Sequence, residues 1–373
     1  DWLKAKGTTL GADDGIGIAM EMALLKANDI EHGPIECVFT RDEETGLTGA
    51  FEMKPGFMTG DYLINLDSED EGQLFVSCAG GVRTEATYTV DEEKLPEGFS
   101  TFNLVVKGLT GGHSGDDINK KRANANKLLV RFLLEQSEKT DLRLCDIQAG
   151  GLHNAIPREA HATVAVPTAY VATFGEELQA FVEKVRDEFS ATEPELTAVI
   201  EPVAAAPTCI CKEQAERLLK SLSVVHNGIF AMSQDLEGLV ETSSNLASVR
   251  KHGNQIVATT SQRSSVASNL EYMASVVRSA FELGGAKCVT NEGYPGWKMN
   301  PKSEILKVCV DSYKRLFGKE PLVRAIHAGL ECGLFSEKYP HLDMVSFGPT
   351  LRGVHSPDER LLIPTVQMVW DHL

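Results

Sequence analysis

Four acidic positions and one histidine stand where the chain changes character. Asp13 lies in Gly11-Ala12-Asp13-Asp14-Gly15, and the pair Glu43-Glu44 in Thr40-Arg41-Asp42-Glu43-Glu44-Thr45-Gly46. Asp67 closes Asn65-Leu66-Asp67, and His355 sits in Gly353-Val354-His355-Ser356-Pro357. Carboxylates combined with imidazole suit divalent zinc, manganese or cobalt better than calcium. Two such ions sharing a carboxylate polarise a carbonyl and lower the pKa of a water. An acidic neighbour of a ligand, itself uncoordinated, can take that water's proton. Adjacent Glu43 and Glu44 fit this division, because neighbouring side chains point in different directions. Any one of these acids alone would read as an ordinary solvated loop residue. The set, placed at successive element ends with a histidine, does not.

Those residues need elements to hold them. The Gly11–Gly15 segment opens a helical pattern through Met20, Met22, Leu24 and Leu25, with Asp13 or Asp14 as its N-cap. The run Ile35-Glu36-Cys37-Val38-Phe39-Thr40 reads as a buried strand, and Tyr62-Leu63-Ile64-Asn65-Leu66 as another. Ligands of open α/β sheets gather at the carboxyl ends of strands, where these acids fall. After Cys78-Ala79-Gly80-Gly81 the pattern changes. A strand over 102–107, a helix over 118–135, strands over 142–148 and 160–166 and a helix over 176–189 give a βαββαβ-like order. A weaker second cycle follows, with a strand near 255–260, a helix near 268–281 and a strand near 286–290, which suggests an internal duplication. From Tyr294 the α/β character returns, with a helix near 303–317 and a strand near 343–347. The expectation is an α/β domain formed by residues 1–79 and 294–373, with an α+β domain inserted at 80–293.

The four ordered motifs resemble the two-zinc peptidases of the aminoacylase and carboxypeptidase clan, and within it the cytosolic Xaa-His dipeptidases of bacterial carnosinase type. The resemblance runs over essentially the whole chain. It implies Asp13 as the bridging ligand, Glu44 and His355 on one metal, Asp67 on the other, and Glu43 as general base. It also implies that the inserted domain is a lid that forms a homodimer interface. Family members carry a His-x-Asp motif upstream of the bridging aspartate, and nothing before Asp13 offers a histidine. Together with the start at Asp1-Trp2-Leu3, this leads to the expectation that the first strands of the peptidase domain lie outside this sequence. The second metal site is then incomplete, this polypeptide is expected to hold at most one metal tightly, through Asp13, Glu44 and His355, or none, and strong activity is not expected of it as it stands.

Three further motifs take meaning from the same resemblance. Gly111-Gly112-His113-Ser114-Gly115 could be read alone as a phosphate-cradling loop, but it lacks the Walker lysine. It resembles the lid segment whose histidine stabilises the oxyanion of a neighbouring active site. Asn154 in His153-Asn154-Ala155 and Arg263 in Ser261-Gln262-Arg263 match positions that grip the substrate's C-terminal carboxylate, for which the guanidinium fork is chemically suited. His327 and Glu331 stand at i and i+4, without the order of a zincin helix. Glu331 is read as a recogniser of the substrate amine, and Cys332 as a packing residue.

Composition sets the outer bounds. Among 373 residues, 36 Lys and Arg against 53 Asp and Glu leave a net charge of −17. That disfavours nucleic acid, whose binding needs clustered positive charge. No run of 18 apolar residues offers a membrane span. The eight cysteines are scattered, as free cytosolic thiols are, and no secretory pattern marks the start, so a cytoplasmic location is expected. The activity expected is metal-dependent hydrolysis of small peptides, with Xaa-His dipeptides as the favoured class. The alternatives are another amidohydrolase of the clan (aminoacylase, desuccinylase or tripeptidase) or a catalytically dead metal-binding or dimerisation protein.

Overall fold

The computed structural model describes every residue except Asp235, and Thr45 in its backbone alone. The chain divides into two units, one made of Asp1–Gly80 and Tyr294–Leu373, the other of Gly81–Gly293.

The first unit is organised on a four-stranded sheet in the order Leu322–Ile326, Gln73–Cys78, Asp343–Ser346, Tyr62–Asn65. The outer pairs are parallel and the central pair is antiparallel. Successive residues enter different apolar clusters. Leu63 and Met344 pack with Cys78, Cys332 and Phe335, whereas Ile64 and Val345 pack with Leu74, Phe347 and Val369. This is the alternation of a sheet buried on both faces, and each fully buried aliphatic chain contributes about 1.5–3 kcal/mol. Helices Glu304–Phe317 and Ile363–His372 supply Cys309 and Val369 to the second cluster. The helix Glu304–Phe317 starts at Ser303, whose hydroxyl accepts from the Leu306 amide, and ends at Gly318 with φ 67°. A separate antiparallel ribbon joins Trp2–Lys4, Arg360–Leu362 and Leu351–Arg352.

Two expectations for this unit are corrected. Residues 35–40 form no strand, and among the described residues no strand pairs with them. Ile35 and Phe39 are exposed, so the burial that would stabilise a central strand is not met. The first helix spans Ala12–Lys26, preceded by Gly11 in the left-handed region, so neither aspartate is the residue before it. Asp13 and Asp14 depart from helical dihedrals, and the Asp13–Asp14 peptide is cis. Asp14 nevertheless makes the bond of an N-cap, its Oδ1 accepting from the Gly17 amide at 3.2 Å.

The second unit contains a nine-stranded sheet. Its main path is Thr197–Pro202, Phe99–Lys107, Ala160–Pro167, Arg143–Gly150, Val240–His252, Gln255–Ser264, Gly80–Thr89, Lys287–Thr290, with Gly228–Met232 also paired to Val240–His252. The order exposes a repeat. Strand Phe99–Lys107, helix Ala125–Lys139, strands Arg143–Gly150 and Ala160–Pro167, helix Val171–Glu188 and strand Thr197–Pro202 form one half. Strand Gly80–Thr89, helix Lys212–Val224, strands Val240–His252 and Gln255–Ser264, helix Ala267–Leu283 and strand Lys287–Thr290 form the other. The halves meet at a short antiparallel seam pairing Gln148–Gly150 with Ser248–Arg250. The helices share one continuous core with the sheet, centred on Phe132, which packs against Phe174 and Phe181.

The helix expected over 118–135 is interrupted. A short 3-10 turn, Ile118–Lys120, ends at Lys121 with φ 54°, and the α-helix begins at Ala125. Asn124 interposes a cap, its side chain accepting from the amides of Asn126 and Lys127.

Candidate metal centre

The first unit gathers most of the acidic motif residues around His355. Its Nε2 lies 3.1 Å from Asp13 Oδ2 and 2.9 Å from Glu44 Oε2. Asp13, Glu44 and His355 each offer one ligand atom, and these atoms lie within 4.8 Å of one another. Three different local structures make this possible. Asp13 is in the irregular first turn of Ala12–Lys26. Glu43 and Glu44 open a single helical turn, Glu43–Gly46, bounded by Asp42 and Leu47 in the left-handed region. His355, at φ 59°, is on the loop between strands Leu351–Arg352 and Arg360–Leu362.

Asp67 follows strand Tyr62–Asn65, outside the three-residue cluster but near enough to Asp13 to feel its charge. Burial raises its pKa, and the charges of Asp14, Asp13 and Glu43 raise it further. Glu43 is pushed up to about 7, first by burial and then by Glu44, Glu331 and Asp13. Burial likewise lifts Asp14 to about 7, against the opposing Gly17 amide. Glu44 is raised by burial and by Asp13. Burial first, and mutual repulsion second, thus hold Asp14, Glu43, Glu44 and Asp67 back from ionisation, and a cation among them would relieve both. Two carboxylates and an imidazole are a donor set that zinc, manganese or cobalt accepts. On these grounds the residues present fit a divalent metal.

Glu331 begins helix Glu331–Lys338 and is 8% exposed. Its Oε2 accepts from the Thr40 hydroxyl at 3.0 Å, while Oε1 is buried with no hydrogen-bond partner. His327 lies before that helix, just past strand Leu322–Ile326, so the i, i+4 spacing does not place the two on one helical face. Cys332 is fully buried beside Cys78 and Trp297, as a packing residue is.

Sequence reasoning passed over Glu359, which is 2% exposed. Its carboxylate accepts from the amides of Gly11 at 2.8 Å, Ala12 at 2.8 Å and Asp13 at 3.2 Å. Burial works against the charge, but the amides outweigh it and hold the carboxyl below its usual range. The signal was its place at the end of the His355 motif. Its partner lies 348 positions away, where no local pattern reaches.

The second unit holds a separate cluster. His113 lies in the short strand Gly112–His113, paired with Ala155–Ile156. Gly111 and Gly112 have φ 65° and 139°, and a Cβ on either would collide with Arg158 or with Arg122 and Asp117. Asp117 accepts from the His113 amide at 2.8 Å, and His113 Nδ1 lies 3.3 Å from Asp116 Oδ2. Arg263 is 8% exposed, and its Nη2 stands 3.5 Å from His113 Nε2. Asn154 is exposed, and its carbonyl accepts from the Ser114 amide at 2.8 Å. The structure therefore brings His113 and Arg263 together and anchors Asn154 through its backbone.

Comparisons with known proteins identify relatives of this chain. Residues 97–196 match the peptidase dimerisation domain family. The chain is 42% identical over 370 residues to the cytosol non-specific dipeptidase of Escherichia coli, covering 99% of this chain and 76% of that protein. The crystal structure of aminoacylhistidine dipeptidase from Vibrio alginolyticus superposes with a TM-score of 0.93 at 43% identity, covering all of this chain and 76% of that one. An aminopeptidase from Bacillus cereus, at 15% identity and a TM-score of 0.53, shares the fold, with coverage of 100% and 74%.

Proposed function

Because the chain belongs to the dipeptidase family represented by the cytosol non-specific dipeptidase, we propose that it is a metal-dependent peptidase that hydrolyses dipeptides, Xaa-His dipeptides among them. The observation that carries the reading is the convergence of Asp13, Glu44 and His355, from three separate stretches of chain, within 4.8 Å. These residues would hold one ion tightly, while Asp67, with Asp13 as the shared carboxylate, would offer a second ion only an incomplete ligand set. Zinc is the first candidate, with manganese or cobalt accepted by the same donors. When bound, the metal polarises the scissile carbonyl and acidifies a water.

The chain's own residues do the rest. Glu43 receives the proton of the attacking water at its carboxylate and returns it to the leaving amine. Glu331 offers its unpartnered Oε1 to the substrate's ammonium, since a buried carboxylate oxygen without a donor is satisfied by a cationic N–H. His113 supplies a hydrogen bond to the developing oxyanion. Arg263 and Asn154 hold the substrate's terminal carboxylate. The unit Gly81–Gly293 serves as a homodimer interface, in keeping with the family match over 97–196. No helix among the described residues is long and apolar enough to cross a membrane, and a cytoplasmic location is proposed from the relatives.

The test is turnover of a dipeptide panel by the full chain with added zinc, manganese or cobalt, against Asp13→Asn and His355→Ala. Metal-stimulated cleavage that both variants lose is the expected result. Cleavage unaffected by chelation and by both substitutions overturns the reading.

A further inference from the structure

The chain that precedes Asp13 turns through Gly11 at φ 73°, ψ 24°, and three successive amides converge on one carboxylate. Glu359 Oε2 takes the Gly11 amide, while Oε1 takes those of Ala12 and Asp13. Consecutive amides around a left-handed residue form a concave anion nest, and here the anion comes from the chain itself. At 2% exposure Glu359 has little access to water, so these bonds are its principal satisfaction.

The same residue terminates the loop that carries His355. The Glu359 amide donates to the Ser356 carbonyl at 3.0 Å, and the Ser356 hydroxyl donates to the Gly353 carbonyl at 2.7 Å. Beyond it, strand Arg360–Leu362 pairs on one side with Leu351–Arg352 and on the other with Trp2–Lys4. Glu359 is thus bonded through its side chain to the backbone of Asp13 and through its main chain to the turn of His355. Asp13 and His355 are 342 positions apart in sequence, yet their ligand atoms stand 3.1 Å apart.

We infer that Glu359 is a positioning residue for the metal centre: its carboxylate clamps the Asp13 backbone to the His355 loop, so that the two ligands stand in place before any cation arrives. The inference rests on the reading of Asp13 and His355 as ligands. A ligand pair held by the fold loses less freedom on binding than one that must be assembled, so the clamp acts on affinity.

The test uses Co2+ as the probe on the full metal-free chain, with Glu359→Gln and Glu359→Ala compared with wild type. Glutamine keeps the length and one acceptor oxygen but loses the charge and the second acceptor. Co2+ affinity is expected to fall about 10–100-fold in Glu359→Ala, the range seen when the residues supporting metal ligands are lost, with Glu359→Gln between it and wild type. The Co2+ ligand-field spectrum should change with it, while the far-ultraviolet circular dichroism stays that of wild type. A folded variant that binds Co2+ with wild-type affinity and spectrum overturns the clamp. A wild-type chain that binds no Co2+, or binds it equally after Asp13→Asn, removes the ligand assignment, and the clamp falls with it. Hydrogen exchange of the wild-type chain decides the matter even if neither variant folds. The amides of Gly11, Ala12 and Asp13 should be protected without metal, and rapid exchange that only metal suppresses would show that the cation orders the loop.

Discussion

In the unit Gly81–Gly293, Arg263 is rooted in the long strand Gln255–Ser264, and His113 in a short strand pair beside two constrained glycines. In the unit of Asp1–Gly80 and Tyr294–Leu373 the acidic residues sit instead on an irregular helical turn, a single-turn helix and a loop. The cores differ in the same sense. The inserted unit has one large core around its nine-stranded sheet, with two small satellite clusters, whereas the other divides its apolar residues among three smaller clusters. A cationic side chain can be planted in a strand because packing fixes its backbone. A set of mutually repelling carboxylates has to be drawn together by polar bonds to the backbone, as Glu359 does for Asp13. Loops positioned by a scaffold are the usual carriers of binding residues, and here the Asp13 and His355 segments are tied both by the Glu359 hydrogen bonds and by the apolar cluster of Leu10, Ala12, Leu351, Val354 and Leu361.

The widest separation between the units should appear in stability. Phe132→Ala, in the continuous core, is expected to cost about 3–5 kcal/mol, read as an earlier denaturant transition of the inserted unit. A loss below about 1 kcal/mol would mean that this core is not the rigid frame described.

Activity should respond to the loop-borne acids with little change in stability. Glu43→Ala is expected to lower turnover ~100-fold or more while metal content stays near wild type, and Glu44→Ala to lower the metal content itself. Elemental analysis after dialysis, paired with kinetics, separates the two, and normal turnover by Glu43→Ala would remove it as the base. Arg263→Ala should reduce kcat/KM about 30-fold, the equivalent of ~2 kcal/mol for an ionic hydrogen bond. Dipeptides should be cleaved and their C-terminal amides spared, and equal hydrolysis of both would break the carboxylate assignment.

The smallest effect is one of pH. His372, in helix Ile363–His372, packs against Phe347 and Tyr313, and burial holds its pKa below the ordinary 6.5 despite its bond to the Cys309 carbonyl. Between the two values the unfolded chain binds more protons, so stability is present above about pH 6.5 and lost as the pH falls through the folded value. His372→Gln should flatten this part of the acid unfolding curve, and an unchanged curve would remove the assignment.

The sequence was most legible where a motif was local. The resemblance carried by the Asp13, Glu43-Glu44, Asp67 and His355 motifs is upheld by the 42% identity to a dipeptidase. The α/β architecture with an inserted α+β unit was likewise readable from alternating helix and strand patterns. What escaped depended on distant partners. Residues 35–40 have strand-like composition, but a strand exists only where another strand meets it. The break at Lys121–Asn124 follows from a cap that competes with helix continuation. The second half of the large sheet was half hidden because its first strand, Gly80–Thr89, is remote in sequence from the rest of its repeat.

That separation has a consequence for the order in which the protein comes to be folded during synthesis. Strand Gly80–Thr89 emerges first but lies in the sheet between Gln255–Ser264 and Lys287–Thr290, which are made much later. The whole other half, Phe99–Pro202, is completed in the meantime with its strand partners close at hand. At 5–20 residues per second the early strand waits roughly ten to thirty seconds for its neighbour. The half that closes first can serve as the template on which the later one is laid, with its edge at Arg143–Gly150 awaiting Val240–His252. A duplicated sheet with one strand displaced ahead of its repeat therefore gives assembly a direction, from the self-contained half outward.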